Sequence, residues 1–364
     1  MADKLRNIIE DIAVDFLNSA LSARIDICTC AKCKNDMLAY VLSRVPAKYV
    51  TTEFGALHTI IEQTKLEKEA EVGRATIAAI EIISKSPRHE VKENKEATFQ
   101  LLLDKIYQDR GLDFHHYHSD LIKRRIAMRM NLNKVGSLSE YLMFLINNPH
   151  EYDKLFEVLC INVSEFFRDP PVWETMTPII KNLIQQKNGK SGEKLIIWSA
   201  ACAYGEEPYS LAILLKELLK QTGSTVNLEI NATDLDPKAL RASHKADYPK
   251  TAVKNVKSEY LKSYFTSSLT SLKLKDEIKD MVSFKPLDLI ASDYIKNTDI
   301  IFCRNVFIYF TRSLQDQLLM KFFHSLNIGG YLVMGITETM WPEAKEIFEE
   351  VSATCRIYRK RAVV

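Results

Sequence analysis

The sequence predicts an α/β protein whose later half is a doubly wound, mainly parallel sheet with a small inserted β element, preceded by two helical segments. Three observations predict it. Apolar, β-rich runs at 195–200, 226–233, 299–303 and 331–335 alternate with helical patterns at 207–221 and 314–326, as parallel strands and crossover helices do. Residues 1–88 and 96–170 instead carry helical periodicity. The length, 364 residues, suits two or three domains rather than one.

In chain order, Ile8, Ile9, Ile12, Phe16 and Leu17 recur at helical spacing. A second apolar stripe over 35–45 stops at Pro46, and 77–83 gives a third helix. Pro87 and the polar run H-E-V-K-E-N-K-E-A read as a linker. Helices are expected at 98–110, 117–132, 137–147 and 151–161. Residues 248–283 interrupt the strand–helix alternation with Lys-rich sequence around Tyr260, Tyr264, Phe265, Leu272 and Leu274, and are read as the inserted element. The run 355–358 reads as an added edge strand. The expected division is 1–90, 96–170 and 171–364.

Composition narrows the function. With 46% hydrophobic and 26% charged residues, the chain is not a disordered, collagenous or mucin-like protein. The net charge of +2 gives no basic coat for nucleic acid. No apolar run reaches the length of a membrane span, and the start lacks a signal-peptide pattern. Seven cysteines, an odd number with Cys28, Cys30 and Cys33 crowded together, suit a reduced, cytoplasmic protein. Glycine-rich dinucleotide and phosphate-loop motifs are absent from the sequence.

The informative stretch is I-I-W-S-A-A-C-A-Y-G-E-E-P-Y-S-L-A-I-L-L, residues 196–215. A buried strand runs into a turn of small residues, and a helix then begins with Glu206, Glu207 and Pro208. Two carboxylates at a helix N-terminus make a poor phosphate site but suit a cationic or polyhydroxylated ligand. Asp234, at the end of the next strand, is a ribose-binding candidate, and Asp236 reads as a helix N-cap before Pro237. A ligand with a ribose, an adenine and a positive sulfonium fits such a pocket, which points to S-adenosylmethionine rather than NAD.

Four motifs carry a resemblance: N-V-S-E-F-F-R-D (162–169), W-S-A-A-C-A-Y-G-E-E-P-Y-S-L-A (198–212), A-T-D-L-D (232–236) and C-R-N-V-F-I-Y-F (303–310). Together they resemble the CheR family of chemotaxis receptor glutamate methyltransferases, over about residues 96–364. The resemblance implies a Rossmann-like S-adenosylmethionine-dependent methyltransferase sheet behind an all-α subdomain, with the insert at 248–283 as the family's small β-subdomain. It implies cofactor contacts by Asn162, Ser164, Arg168, Glu207, Asp234, Asp288, Leu289, Arg304 and Asn305, with S-adenosylhomocysteine as product. Tyr309 matches a tyrosine near the transferred methyl group, and Arg168 is a candidate to steer the acceptor carboxylate by charge-assisted hydrogen bonds. Ser164 stands where the family has Thr, and Gly335-Ile336-Thr337-Glu338 departs from G-H-S-E on one side of the pocket.

An acceptor glutamate is ionised near neutral pH and needs no general base, so the lack of a conspicuous His or Lys among the motifs is consistent. Residues 105–135 hold 7 Lys+Arg against 3 Asp+Glu. Lys123, Arg124, Arg125 and Arg129 are therefore expected to draw the acidic coiled-coil helices of methyl-accepting receptors.

In the first segment, I-C-T-C-A-K-C-K-N-D-M-L-A-Y-V-L-S-R-V-P-A-K-Y-V-T-T (27–52), with S-P-R-H at 86–89, resembles the ComFB late-competence family. That implies a helical module that dimerises or binds a cyclic dinucleotide, with Arg44, Lys48, Tyr49 and Thr52 as candidate ligand contacts. Cys28, Cys30 and Cys33 supply three of the four ligands of a zinc site, with His58 as a candidate fourth. Ordinary reduced thiols are the competing reading. A nucleic-acid methyltransferase is disfavoured because Val172 replaces the aromatic that would follow D-P-P in base methylases. A non-catalytic, signal-coupling adaptor is the remaining alternative.

Overall fold

The structure is a computed structural model that describes residues 5–22, 24, 27–52, 65–85, 94–160, 162–190 and 192–362. It divides into two compact units, Met1–Thr98 and Phe99–Val364.

In the first unit, helices Ile8–Ser22, Ala31–Leu42 and Lys65–Lys85 enclose Ile9, Ala13, Leu17, Met37, Val41, Val72 and Ile80. A two-residue antiparallel ladder joins Arg6–Asn7 to Tyr49–Val50. His58 and the 86–89 run lie outside the described residues.

In the second unit, helices Lys95–Arg110, Ser119–Asn133, Leu138–Asn147 and Pro149–Leu159 form the expected helical part, the first of them starting within the first unit's last residues. Their apolar stripes meet in a core of Phe99, Leu102, Ile106, Ile122, Ile126, Tyr141, Leu145 and Leu155. Arg129 lies on the same stripe as Ile122 and Ile126 and is only 9% exposed. Its Nε and Nη2 donate to the Glu151 carboxylate at 2.8 and 2.7 Å, and Tyr141 Oη and Asn133 Nδ2 donate to the same group. Arg129 is thus not part of a substrate-facing surface. Burying an unpaired guanidinium or carboxylate is so costly that each holds the other in place.

The main sheet has seven strands in the order Phe348–Ser352, Ile357–Lys360, Leu326–Met334, Thr298–Cys303, Lys194–Ala200, Asn227–Asp234, Val282–Pro286. The five strands from 326–334 onward in that order run parallel, and the two at the first edge are antiparallel. Ile197, Ile300 and Phe302 pack into one core and Trp198, Ile301 and Cys303 into another. That alternation is the strand period of two with both faces covered, which is why the sequence shows continuous apolar runs. The strand 348–352 and the helix Pro170–Lys187 have weaker sequence signals and fall outside the expected elements. The insert forms a three-stranded antiparallel sheet from Asp247–Pro249, Phe265–Ser267 and Ser271–Leu274, with helix Ser258–Tyr264. Strand order reverses beside Lys194–Ala200, so the crevice at its carboxyl end is where an open sheet of this kind binds ligands.

Candidate active site

A cleft opens at that point. It is lined by Phe114, Tyr117, Asn162, Ser164, Arg168, Ala201–Ala203, Glu207, Asp234, Arg304, Asn305, Tyr309 and Phe310, among others. Its floor is a turn with unusual backbone. Ala201 and Ala203 have φ of 58° and 49°, and Gly205 has 92°. A Cβ on Gly205 would also stand 2.7 Å from Ser243 Cβ, so both conformation and space demand glycine. The helix Glu206–Thr222 starts directly afterwards. Such left-handed residues persist only where surrounding contacts over-determine them. Here the Ala203 N–H donates to Asp234 Oδ2 at 2.7 Å and the Cys202 N–H to the Thr233 carbonyl. Asp234 therefore shapes the turn while lining the cleft. Asp236 caps helix Pro237–Lys245 through the Lys238 N–H at 2.7 Å, as expected, and also accepts from Asn162 Nδ2 at 2.6 Å.

Burial raises the proton affinity of Glu207 and Asp234 in this floor and of Glu206 beside it. Glu206 is pushed up to about 7, offset in part by the hydroxyl of Ser164. Glu207 rises despite the Arg304 charge and the Ser199 hydroxyl at 2.7 Å, and Asp234 rises despite two backbone N–H groups. The floor is short of positive charge, and a ligand bearing a cation and hydroxyl groups would supply it. The residues present fit S-adenosylmethionine on that ground.

Arg304 answers these acids directly. Its side chain, 2% exposed, pairs with Asp169 at 2.6 Å and Glu207 at 3.4 Å and donates to the Arg168 carbonyl. Those bonds hold the pocket's acids in position. Asn305 follows with φ 61°. A Cβ on Gly335 would stand 2.8 Å from the Asn305 nitrogen, so the close approach again requires glycine. Glu338, buried beside it, accepts the Gly335 and Phe307 N–H groups at 2.6 and 2.8 Å. The altered Ile336 and Thr337 thus leave intact the acid that anchors the loop carrying Asn305 and Tyr309. Asp288 and Leu289 do not line the cleft. Leu289 packs in the core, and Asp288 accepts the Ile290 N–H at 2.7 Å, close enough for its charge to reach Tyr117.

At the mouth, Phe167 and Asp169 both have positive φ, 49° and 55°, and present Arg168 between them. Its Nη1 donates to the Val163 carbonyl at 3.0 Å. The Tyr309 phenol is raised by burial, and the charges of Arg125 and Arg168 act against that rise. Arg125 also donates to the Val158 carbonyl; Lys123 lies over the Phe99 ring, and Arg124 is exposed. Sequence reading missed the aromatic wall of Phe114, Tyr117 and Phe310. Tyr117 meets Phe310 edge-on at 4.9 Å, and the 116–118 backbone pairs with 309–311. The aromatic run D-F-H-H-Y-H between two helices was the signal available for it.

Protein-family comparison bears on this cleft directly. Residues 162–357 match the model described as CheR methyltransferase, SAM binding domain. The chain belongs to the CheR methyltransferase family. Residues 97–160 match the CheR methyltransferase all-alpha domain, and 6–87 match the late competence development protein ComFB. Among curated CheR relatives, the chemotaxis protein methyltransferase of Listeria innocua is 33% identical over 234 residues, covering 64% of this chain and 86% of that protein. Its Listeria monocytogenes counterpart is 31% identical with the same coverage. The Borreliella burgdorferi protein of the same name is 29% identical over 66% of this chain and 87% of its own length. The CheR match spans both the helical part and the sheet of the second unit, so the aromatic wall and the acidic floor belong to one methyltransferase.

In the first unit the three thiols of Cys28, Cys30 and Cys33 lie within 4.8 Å of one another. Cys30 caps helix Ala31–Leu42 by accepting the Cys33 N–H at 3.4 Å. Arg44 stacks on Tyr40 at 4.1 Å, while Tyr49 and Thr52 are exposed and Lys48 is half-buried. No helix among the described residues is long and apolar enough to cross a membrane.

The Glu206 shift sets a pH dependence. Its folded carboxyl holds a proton up to about pH 7, against 4.5 for the ordinary group. Between those values the folded chain binds more protons than the unfolded chain, so stability falls as pH rises through that window. Glu206→Gln keeps the neutral form at every pH. It is expected to flatten this fall and, above pH 7, to exceed the parent by about 3 kcal/mol in urea unfolding. Equal slopes for parent and variant between pH 5 and 7 would refute the assignment.

Proposed function

We propose that this chain methylates glutamate side chains of chemotaxis receptors, with residues 1–90 as a regulatory module, 96–170 as the receptor-facing helices and 171–364 as the catalytic domain. The observation that carries the reading is the cleft lining, where Arg168 and Tyr309 stand with Glu207 and Asp234, and where the charge of Arg125 also reaches Tyr309. Such a lining receives a carboxylate and holds it by charge-assisted hydrogen bonds. When bound, S-adenosylmethionine supplies an electrophilic methyl group. Asp234, Glu207, Asn162, Ser164 and Asn305 would hold it against the 201–205 turn. The acceptor arrives ionised, so no residue has to remove a proton, and catalysis is positioning. The exposed Arg124 extends the cationic surface toward an acidic helix. The names of the Listeria and Borreliella relatives support the chemotaxis assignment.

Transfer of labelled methyl from S-adenosylmethionine to receptor-enriched membranes tests it. The expected product is base-labile, as a methyl ester is; a base-stable product, or none, defeats the reading.

The first unit is read as a cyclic-dinucleotide sensor through Arg44, Lys48, Tyr49 and Thr52, and its thiol trio as three zinc ligands. Calorimetric titration of the full chain with cyclic dinucleotides is expected to give saturable heat that Arg44→Ala and Tyr49→Ala remove. Silence at high micromolar ligand would discard the sensor. Stoichiometric zinc by elemental analysis, lost in Cys30→Ser, is expected for the trio.

A further inference from the structure

A second cleft, of about 440 Å³, lies beside the methyl-transfer cleft and shares Asn162, Val163 and Ser164 with it. Its walls come from residues 162–165, from the 204–206 turn and from 247–252 of the inserted subdomain. The Phe166 N–H donates to the Ala252 carbonyl at 2.9 Å and the Tyr248 hydroxyl to the Tyr204 carbonyl at 2.8 Å, so the three walls are fastened together.

Glu206 lines this cleft and is 4% exposed, yet its Oε2 has no hydrogen-bond partner. An unmatched buried carboxylate oxygen is costly unless a donor reaches it. The Ser164 hydroxyl acts on this carboxyl group, but Oε2 itself stays unmatched. Glu165 accepts from Asn255 and pairs with Lys254 at 2.7 Å, and Asp247 is exposed at the rim. Among the described residues that line the cleft, none is Lys or Arg. Tyr204, 38% exposed, adds an aromatic face at the opening. A buried acid with an unmatched oxygen in the wall of an open cleft, beside an aromatic ring and with no Lys or Arg among the described lining residues, is the chemistry that recognises an organic cation.

We infer that this cleft is a second binding site that seats a guanidinium or primary ammonium group on a short alkyl stem, with Glu206 Oε2 as its acceptor. The group comes either from a Lys or Arg side chain of the protein substrate or from a free small amine. The inference does not depend on which acceptor is methylated, and its first test needs no receptor.

Calorimetric titration of the full chain at pH 8, where Glu206 is ionised, with n-butylguanidine, n-butylamine and the uncharged n-butylurea decides it. The two cations are expected to bind about tenfold more tightly than the urea, as a charge-assisted bond to a buried carboxylate requires. Glu206→Gln should abolish that preference while melting as one cooperative unit. Thr251→Lys, at the exposed rim, should abolish it too by placing its own ammonium in the cleft, and S-adenosylmethionine binding to that variant reports an intact fold. Should Glu206→Gln fail to fold, Thr251→Lys decides alone. Equal binding of butylurea and the cations, or a preference that survives either variant, overturns the site. In the methylation assay, n-butylguanidine raising the KM for receptor assigns the cleft to a substrate side chain; binding without that effect assigns it to a free amine.

Discussion

Arg168→Ala is expected to lower kcat/KM for receptor methylation by about 10²- to 10³-fold, the scale seen when one preorganised donor is taken from a reacting oxygen. The loss should be confined to activity, because the backbone at this position is held by other groups. The Arg168 carbonyl accepts from Trp173 Nε1 at 2.8 Å and from Arg304 Nη2 at 3.1 Å. Phe166 and Phe167 on its N-terminal side are buried in the sheet core. The melting temperature should therefore stay close to that of the parent. Arg168→Lys should recover only part of the rate, since a point charge replaces a planar fork that can grip both carboxylate oxygens. Initial rates with labelled cofactor, beside calorimetric affinity for S-adenosylmethionine, separate the roles. A variant with parental kcat/KM would remove Arg168 from the reaction.

Arg129→Ala is expected to cost about 3–5 kcal/mol, because it leaves Glu151 buried without its cation. Glu151 is held below the ordinary carboxylate range by Arg129, Tyr141 and Asn133 against its burial. Its contribution is present above the unfolded value of 4.5 and is lost as pH falls through the depressed folded value. The variant should accordingly lose the parent's fall in stability at acidic pH. The double change Arg129→Met with Glu151→Leu should return most of the stability, since an apolar pair of similar size removes both desolvation costs. Urea unfolding of the three proteins checks both statements. A cost below about 1 kcal/mol for the single variant would mean that the pair is solvated.

These two arginines illustrate how much of the site was legible. Arg168 sits in a motif whose local sequence, two aromatics before it and Asp-Pro-Pro after it, dictates a tight turn into a helix, and the structure presents it at a cleft mouth. Arg129 was read from charge density and the family resemblance, as one of four cations on a basic helix. Its seven-residue spacing from Ile122 and three-residue spacing from Ile126 put it on the apolar stripe, and that spacing was the available warning. Glu206 and Glu207 are adjacent acids at one helix start, indistinguishable by position. The helix turns about 100° between them, which sends one to the methyl-transfer cleft and the other to the cleft beside the inserted subdomain.

The sequence by itself determined the layered α/β architecture, the helical segments ahead of it and the family, because apolar runs, helical periods and short motifs are local properties of the chain. Only the tertiary structure decided which charges are available. Arg129 meets Glu151 across 22 residues, Arg304 meets Glu207 across 97, and Tyr117 closes on Phe310 from another part of the unit. The pattern of apolar positions says which face of an element is buried. It does not say which distant polar group will be waiting there, and at buried positions that partner sets whether a charge holds the fold together or is left to bind something else.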